Sequence, residues 1–179
     1  MQIFNTPDRF GVVAQALHWA TAVLVAFSWM LGQAGDDVAA ILSAHMFAGL
    51  AVFVVLALRL IWRLVDPPPT PEATGLGAWA DRAARIVHYV LLALLVLAPA
   101  VGIAYQFARG EALPLFGFAE ISSPIVVSRE AARSVKEAHE FFANALLMVA
   151  LLHAAAALFH HWVLRDRVLK RMWPFGVPR

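Results

Sequence analysis

Four stretches of this chain run without a charged side chain for longer than a lipid bilayer is thick. Phe10 to Gly35 holds 26 such residues, Val38 to Leu58 holds 21, Ile86 to Ala108 holds 23 and Phe141 to Leu164 holds 24. Crossing about 30 Å of hydrocarbon takes roughly 20 residues at a rise of 1.5 Å each, so every stretch predicts a membrane-spanning helix. The first stretch also reads as a mature helix and not a secretion signal, because it is long, contains Gln15 and His18, and lacks an A-x-A cleavage site. The pattern predicts an all-α integral membrane four-helix bundle, a single domain over residues 1–179, with spans at about 12–34, 40–64, 84–107 and 137–164.

Between the spans the polar positions differ in kind. Gly32 to Asp37 predicts a short turn, and the run from Asp66 to Pro71 predicts a stiff segment that ends the second helix, since proline lacks an amide donor and restricts its predecessor. Residues 109–136 form the longest connection, with a short surface helix expected from Ser128 to Lys136. Pro99 falls inside the third span, where a kink is tolerated. Ten basic residues (Arg9, Arg59, Arg63, Arg82, Arg85, Arg165, Arg167, Lys170, Arg171 and Arg179) fall on one side of these spans, against Arg109, Arg129, Arg133 and Lys136 on the other. The positive-inside rule then predicts that both termini are cytoplasmic.

Composition narrows the chemistry. The chain is 61% hydrophobic, 15% charged and carries a net charge of only +2, which gives no reason to expect nucleic acid as a partner. It has no cysteine, which excludes disulfides, thiolate zinc sites, iron–sulfur clusters and covalent c-type heme. Any metal must be held by other ligands, and the chain has seven histidines in or beside its spans: His18, His45, His88, His139, His153, His160 and His161. Ionisable groups are costly in lipid and mark functional sites. For one histidine alone, a neutral ring bonded to helix backbone is an equally good reading.

The spacing of the set says more. His139 and His153 are 14 residues apart, which places them on one helical face about 21 Å apart along the axis. Counting from the span ends, His18 matches the depth of His153 at the cytoplasmic level, and His45 matches His139 at the outer level. Two imidazoles from different helices suit the two axial positions of a heme iron, so the pairs predict two noncovalent b hemes stacked across the bilayer. His88, three residues beyond Arg85, is expected to be shallower than His153 and level with His160. His160 lies on the heme-facing side, closer to the cytoplasm, where a quinone pocket would border it.

At these residues the chain resembles the bacterial cytochrome b561 family of small di-heme, quinone-linked membrane proteins, and within it the superoxide-oxidising members. The matching pieces are His18-Trp19, then His45 followed by Arg59-Leu60-Ile61-Trp62-Arg63-Leu64, then His88 with Leu97-Ala98-Pro99-Ala100-Val101-Gly102. In the fourth span they are Lys136-Glu137-Ala138-His139-Glu140 and the run from His153 to His161, followed by Arg165-Asp166 and Arg171-Met172. The resemblance implies iron ligation by His18 with His153 and by His45 with His139. It also implies a bacterial inner-membrane location and electron passage from superoxide at the periplasmic face to ubiquinone near the cytoplasmic face.

Given that chemistry, Lys136 reads either as a source of positive potential drawing the superoxide anion or as a solvated interface residue, while Arg133 pairs with Glu137. His160, with Asp166 and Arg165 as neighbours, is the candidate for moving protons to the quinone. Arg59 and Arg63 read either as partners of heme propionates or as snorkelling anchors. Competing functions are a cytochrome b conduit and anchor for a separate dehydrogenase or hydrogenase, with a protein electron donor, and a heme-free metal-ion or proton transporter.

Overall fold

The computed structural model describes residues 2–34, 38–72 and 75–173. Four long helices dominate it: α1 (Val12–Gln33), α2 (Ala39–Val65), α3 (Ala78–Ala108) and α4 (Arg129–Phe159). The last continues through a π-helical turn at His160–Leu164 and is followed by a short α5 (Val168–Met172). All four long helices have the length and hydropathy to cross a membrane. Asp66 closes α2 where the proline run begins, and Pro99 sits within α3 without ending it.

Packing is by hairpins. α1 lies along α2 and α3 along α4, whereas the two hairpins meet each other along a thinner seam. That seam is closed at mid-height by Val52 and Leu56 of α2, Leu94, Leu95 and Ala98 of α3, and Leu146 of α4. The outward faces expose Val23, Phe27, Val54, Leu58, Leu151 and Leu152. Such a surface suits lipid, where apolar side chains need no burial and helices associate through close packing of small residues and polar links.

With four antiparallel spans, both termini fall at one end, here called the terminal end. Arg171, 7% exposed, ties it together by donating to the carbonyls of Pro7, Asp8 and Thr70 and pairing with Glu72 at 3.4 Å. Asn5 bonds Asp66, Gln15 bonds the carbonyl of Phe10, and Trp19 Nε1 donates to the carbonyl of Met172. The N-terminal segment, the α2–α3 connection and α5 are thereby laced into one layer across the helix ends.

At the opposite, loop end the structure departs from the sequence reading. Ser128 to Lys136 is not a separate surface helix: Ser128 caps α4, its Oγ accepting the Ala131 N–H at 3.2 Å, and Arg129 onward is continuous with the span. The rest of the connection folds as a hairpin, β1 (Leu113–Leu115) antiparallel to β2 (Ala119–Ile121), turned by Phe116 and Gly117 at φ of 52° and 80°. α3 starts six residues before its expected span because Asp81, Arg82 and Arg85 ride on its first turns, where charged heads reach the interface. Residues 35–37 of the first turn and Arg179 lie outside the described residues.

Candidate metal centres

The loop-end pair comes from α2 and α4. The His45 and His139 rings stand 5.9 Å apart between centroids, at 79° to one another. His45 Nδ1 lies 2.8 Å from the carbonyl oxygen of Ser28, and His139 Nδ1 lies 2.9 Å from that of Ala98. A carbonyl oxygen only accepts, so both Nδ1 atoms carry the proton, and in the neutral ring Nε2 is the nitrogen without one. That is the tautomer a metal-ligating histidine adopts when its second nitrogen is anchored.

The terminal-end group comes from three helices. His18 of α1 and His153 of α4 are 6.4 Å apart, at 68°. His88 of α3 lies nearer still to His153, at 5.2 Å. This corrects the expected depth of His88: it is level with His153 and not with His160. Counting from Arg85 underestimates its depth, because α3 begins at Ala78, about 15 Å before His88 along the helix. Arg59 of α2 lies within electrostatic reach of His18, His88 and His153, and Arg63 within reach of His88.

These pairs fit heme better than a bare ion. Two imidazoles on opposite sides of one metal, each nitrogen about 2 Å away, place their ring centroids roughly 6 Å apart, as both pairs do. Among the described residues, no group of three or more His, Cys, Asp or Glu side chains converges to hold a metal by itself. Two histidines are the protein ligand set of a heme whose macrocycle supplies the remaining bonds. A half-buried guanidinium, Arg59, stands ready for an anionic group at the terminal end. The cavity beside His45 and His139 measures about 170 Å³, below the roughly 300–1,000 Å³ of organic-ligand sites.

That cavity gathers residues the sequence did not single out. Gly32, Gly102, Tyr105, Gln106, Arg109 and Asn144 line it together with Lys136 and Glu140. Lys136 Nζ is 3.8 Å from Glu140 Oε1, so its charge is partly compensated. Arg109 pairs with Glu111 at 2.7 Å and covers the Tyr105 ring. Trp29 Nε1 donates to Asn144 Oδ1 at 2.9 Å, linking α1 to α4 beside the pair. Arg133 bonds Glu137 at 3.0 Å, both largely exposed.

His160 is built into a site of its own. It opens the π-turn, which ends at Arg165 in the left-handed region at φ 55°. This fold-back brings Asp166 Oδ2 to 2.5 Å from His160 Nδ1, while the Asp166 N–H donates to the His160 carbonyl. The other carboxylate oxygen accepts the Val168 N–H at the start of α5 at 3.0 Å. Both side chains are mostly buried. No pattern in the sequence signalled a π-turn; the Arg165-Asp166 step was the only hint.

Comparison with known proteins agrees with this architecture. A family model described as prokaryotic cytochrome b561 matches residues 9–175. The chain is 31% identical to cytochrome b561 homolog 1 of Escherichia coli K12, over 93% of this chain and 98% of the relative. It is 28% identical to cytochrome b561 homolog 2 of the same organism, over 96% and 95%. It is also 29% identical to a probable superoxide oxidase CybB of Yersinia pestis, over 93% and 96%. Four apolar spanning helices enclosing paired histidines, matched along nearly their whole length, make this chain a member of the prokaryotic cytochrome b561 family, a transmembrane heme protein of electron transport.

Proposed function

We propose that the protein is a superoxide:ubiquinone oxidoreductase of the bacterial inner membrane, with two b hemes and both termini cytoplasmic. In this reading His45 and His139 hold one heme near the periplasmic face, and His18 and His153 hold the other near the cytoplasmic face. The observation that carries it is the anchored Nδ1 on both loop-end histidines, whose rings stand 5.9 Å apart and have Nε2 as the nitrogen suited to a metal. The hemes, when bound, supply one-electron carriers between the two ends.

The protein's own groups account for the rest. With two histidines holding each heme, the iron would serve as an electron carrier and not as a site of oxygen binding. Two superoxide anions each lose one electron and leave as dioxygen, and one ubiquinone takes up the two electrons with two protons. Lys136 and Arg109, both lining the loop-end cavity, give the entrance its positive charge. Arg59 and Arg63, within electrostatic reach of the terminal-end histidines, would pair with heme propionates there. His160, held by Asp166, delivers a proton from Nε2 to the quinone oxygen and is reprotonated from the cytoplasmic side. The superoxide oxidase name of one relative supports the choice of donor.

The test supplies superoxide to the purified heme-loaded protein and follows heme absorbance with and without ubiquinone. Reduction by superoxide that reverses on adding quinone is the expected result. Hemes unresponsive to superoxide but reduced by a partner dehydrogenase would replace this reading with that of an electron conduit.

A further inference from the structure

The two histidine pairs are held by different means. Four residues after Ser28, whose carbonyl accepts from His45, stands Gly32; four residues after Ala98, whose carbonyl accepts from His139, stands Gly102. A Cβ on Gly32 would sit 3.2 Å from His45 Cε1, and one on Gly102 would sit 2.9 Å from His139 Cε1. Positions i and i+4 lie one turn apart on the same helix face. Each hairpin thus presents the same cradle, a carbonyl to anchor Nδ1 and a bare backbone one turn on to let the ring approach.

The terminal-end pair has no counterpart. Among the described residues neither His18 nor His153 makes a hydrogen bond through its ring, and their polar surroundings are His88 and the positive charge of Arg59. An Nδ1–H bonded to a carbonyl raises the basicity of the opposite nitrogen. A more basic ligand stabilises ferric over ferrous iron. A nearby cation does the reverse, favouring the state with one more electron.

We propose that Gly32 and Gly102, acting with the Ser28 and Ala98 carbonyls, are positioning residues that make iron held by His45 and His139 the lower-potential centre of the two. The inference rests on the ligand pairs of the preceding section. It gives the molecule a built-in slope from the loop end to the terminal end. The expected bias is about tenfold or more in the reduction equilibrium, equal to 59 mV for a one-electron couple.

Spectroelectrochemical titration of the heme-loaded protein, with heme counted as the pyridine hemochrome, tests this. Two hemes per chain and two separate one-electron steps are expected. Gly102→Ala crowds His139, weakens its bond to Ala98 and should raise the lower step while leaving the higher one in place. Arg59→Gln should lower only the higher step, and Gly32→Ala, whose Cβ meets His45 at a milder 3.2 Å, should raise the lower step if Gly102→Ala fails to load heme. A glycine variant that moves the higher step, an Arg59 variant that moves the lower one, or a single unresolved step overturns the proposal. Fewer than two hemes in the unaltered protein overturns the ligand pairs themselves.

Discussion

His45 and His139 show how far one bond constrains a residue. Because their Nδ1 protons are committed to helix carbonyls, only Nε2 remains to bind iron, so replacing either ring removes a ligand that no neighbour supplies. His139→Ala should lower bound heme from about two to about one per chain, read as the pyridine hemochrome. His88 is the contrasting case. It sits closer to His153 than His18 does and at the same level, so the proposed pairing of His18 with His153 rests on the family resemblance and not on depth. His88→Ala should keep both hemes and His18→Ala should lose one; the opposite pattern would make His88 the ligand. Lys136 acts through its field, weakened by Glu140 at 3.8 Å. Lys136→Glu should slow heme reduction by superoxide about tenfold at low salt, and the gap should narrow as salt screens the charge. Equal rates at all ionic strengths would leave Lys136 a plain interface residue.

At the scale of elements, the π-turn after α4 is the feature with the clearest chemical consequence. One extra residue per turn displaces the chain so that Asp166 returns to His160, and the left-handed Arg165 lets it do so. Asp166→Asn should slow reoxidation of the reduced hemes by a soluble ubiquinone analogue about tenfold or more, and raise its solvent isotope effect, while reduction by superoxide keeps its rate. A parallel loss in both phases would show that the turn serves structure alone. The histidine pairs were legible in the sequence because depth along a straight helix follows from residue counting. The turn was not, since a π-bulge depends on which neighbours satisfy the loosened carbonyls. The His88 depth failed for a related reason: a charged residue marks where its head reaches water, and not where its helix begins.

Across the whole molecule, the bundle is two tight hairpins joined along a thin seam and tied at one end by Arg171. Removing that guanidinium leaves the carbonyls of Pro7, Asp8 and Thr70 without this donor, while Glu72 keeps Arg167 at 3.2 Å, a loss of about 1–3 kcal/mol for buried acceptors left unsatisfied. Arg171→Ala should therefore melt at a markedly lower temperature. Limited proteolysis should cut it within residues 2–11, while the loop-end histidines, at the far end of the molecule, keep their heme spectrum. Unchanged protease resistance would show that the other links, Asn5 to Asp66 and Trp19 to Met172, hold the layer without it.

The amino-acid sequence determined the number of spans, the helical class and the candidate ligands by itself, because lipid forces each backbone to satisfy its own hydrogen bonds and makes every buried histidine costly enough to notice. The capping of α4 by Ser128, the β-hairpin over the loop end, the glycines pressed against the histidine rings and the carboxylate returned to His160 were decided only by tertiary structure. Each of these depends on which groups two separate helices or a reversed turn bring within a few ångströms. Residue spacing along one strand of the chain carries no information about that approach.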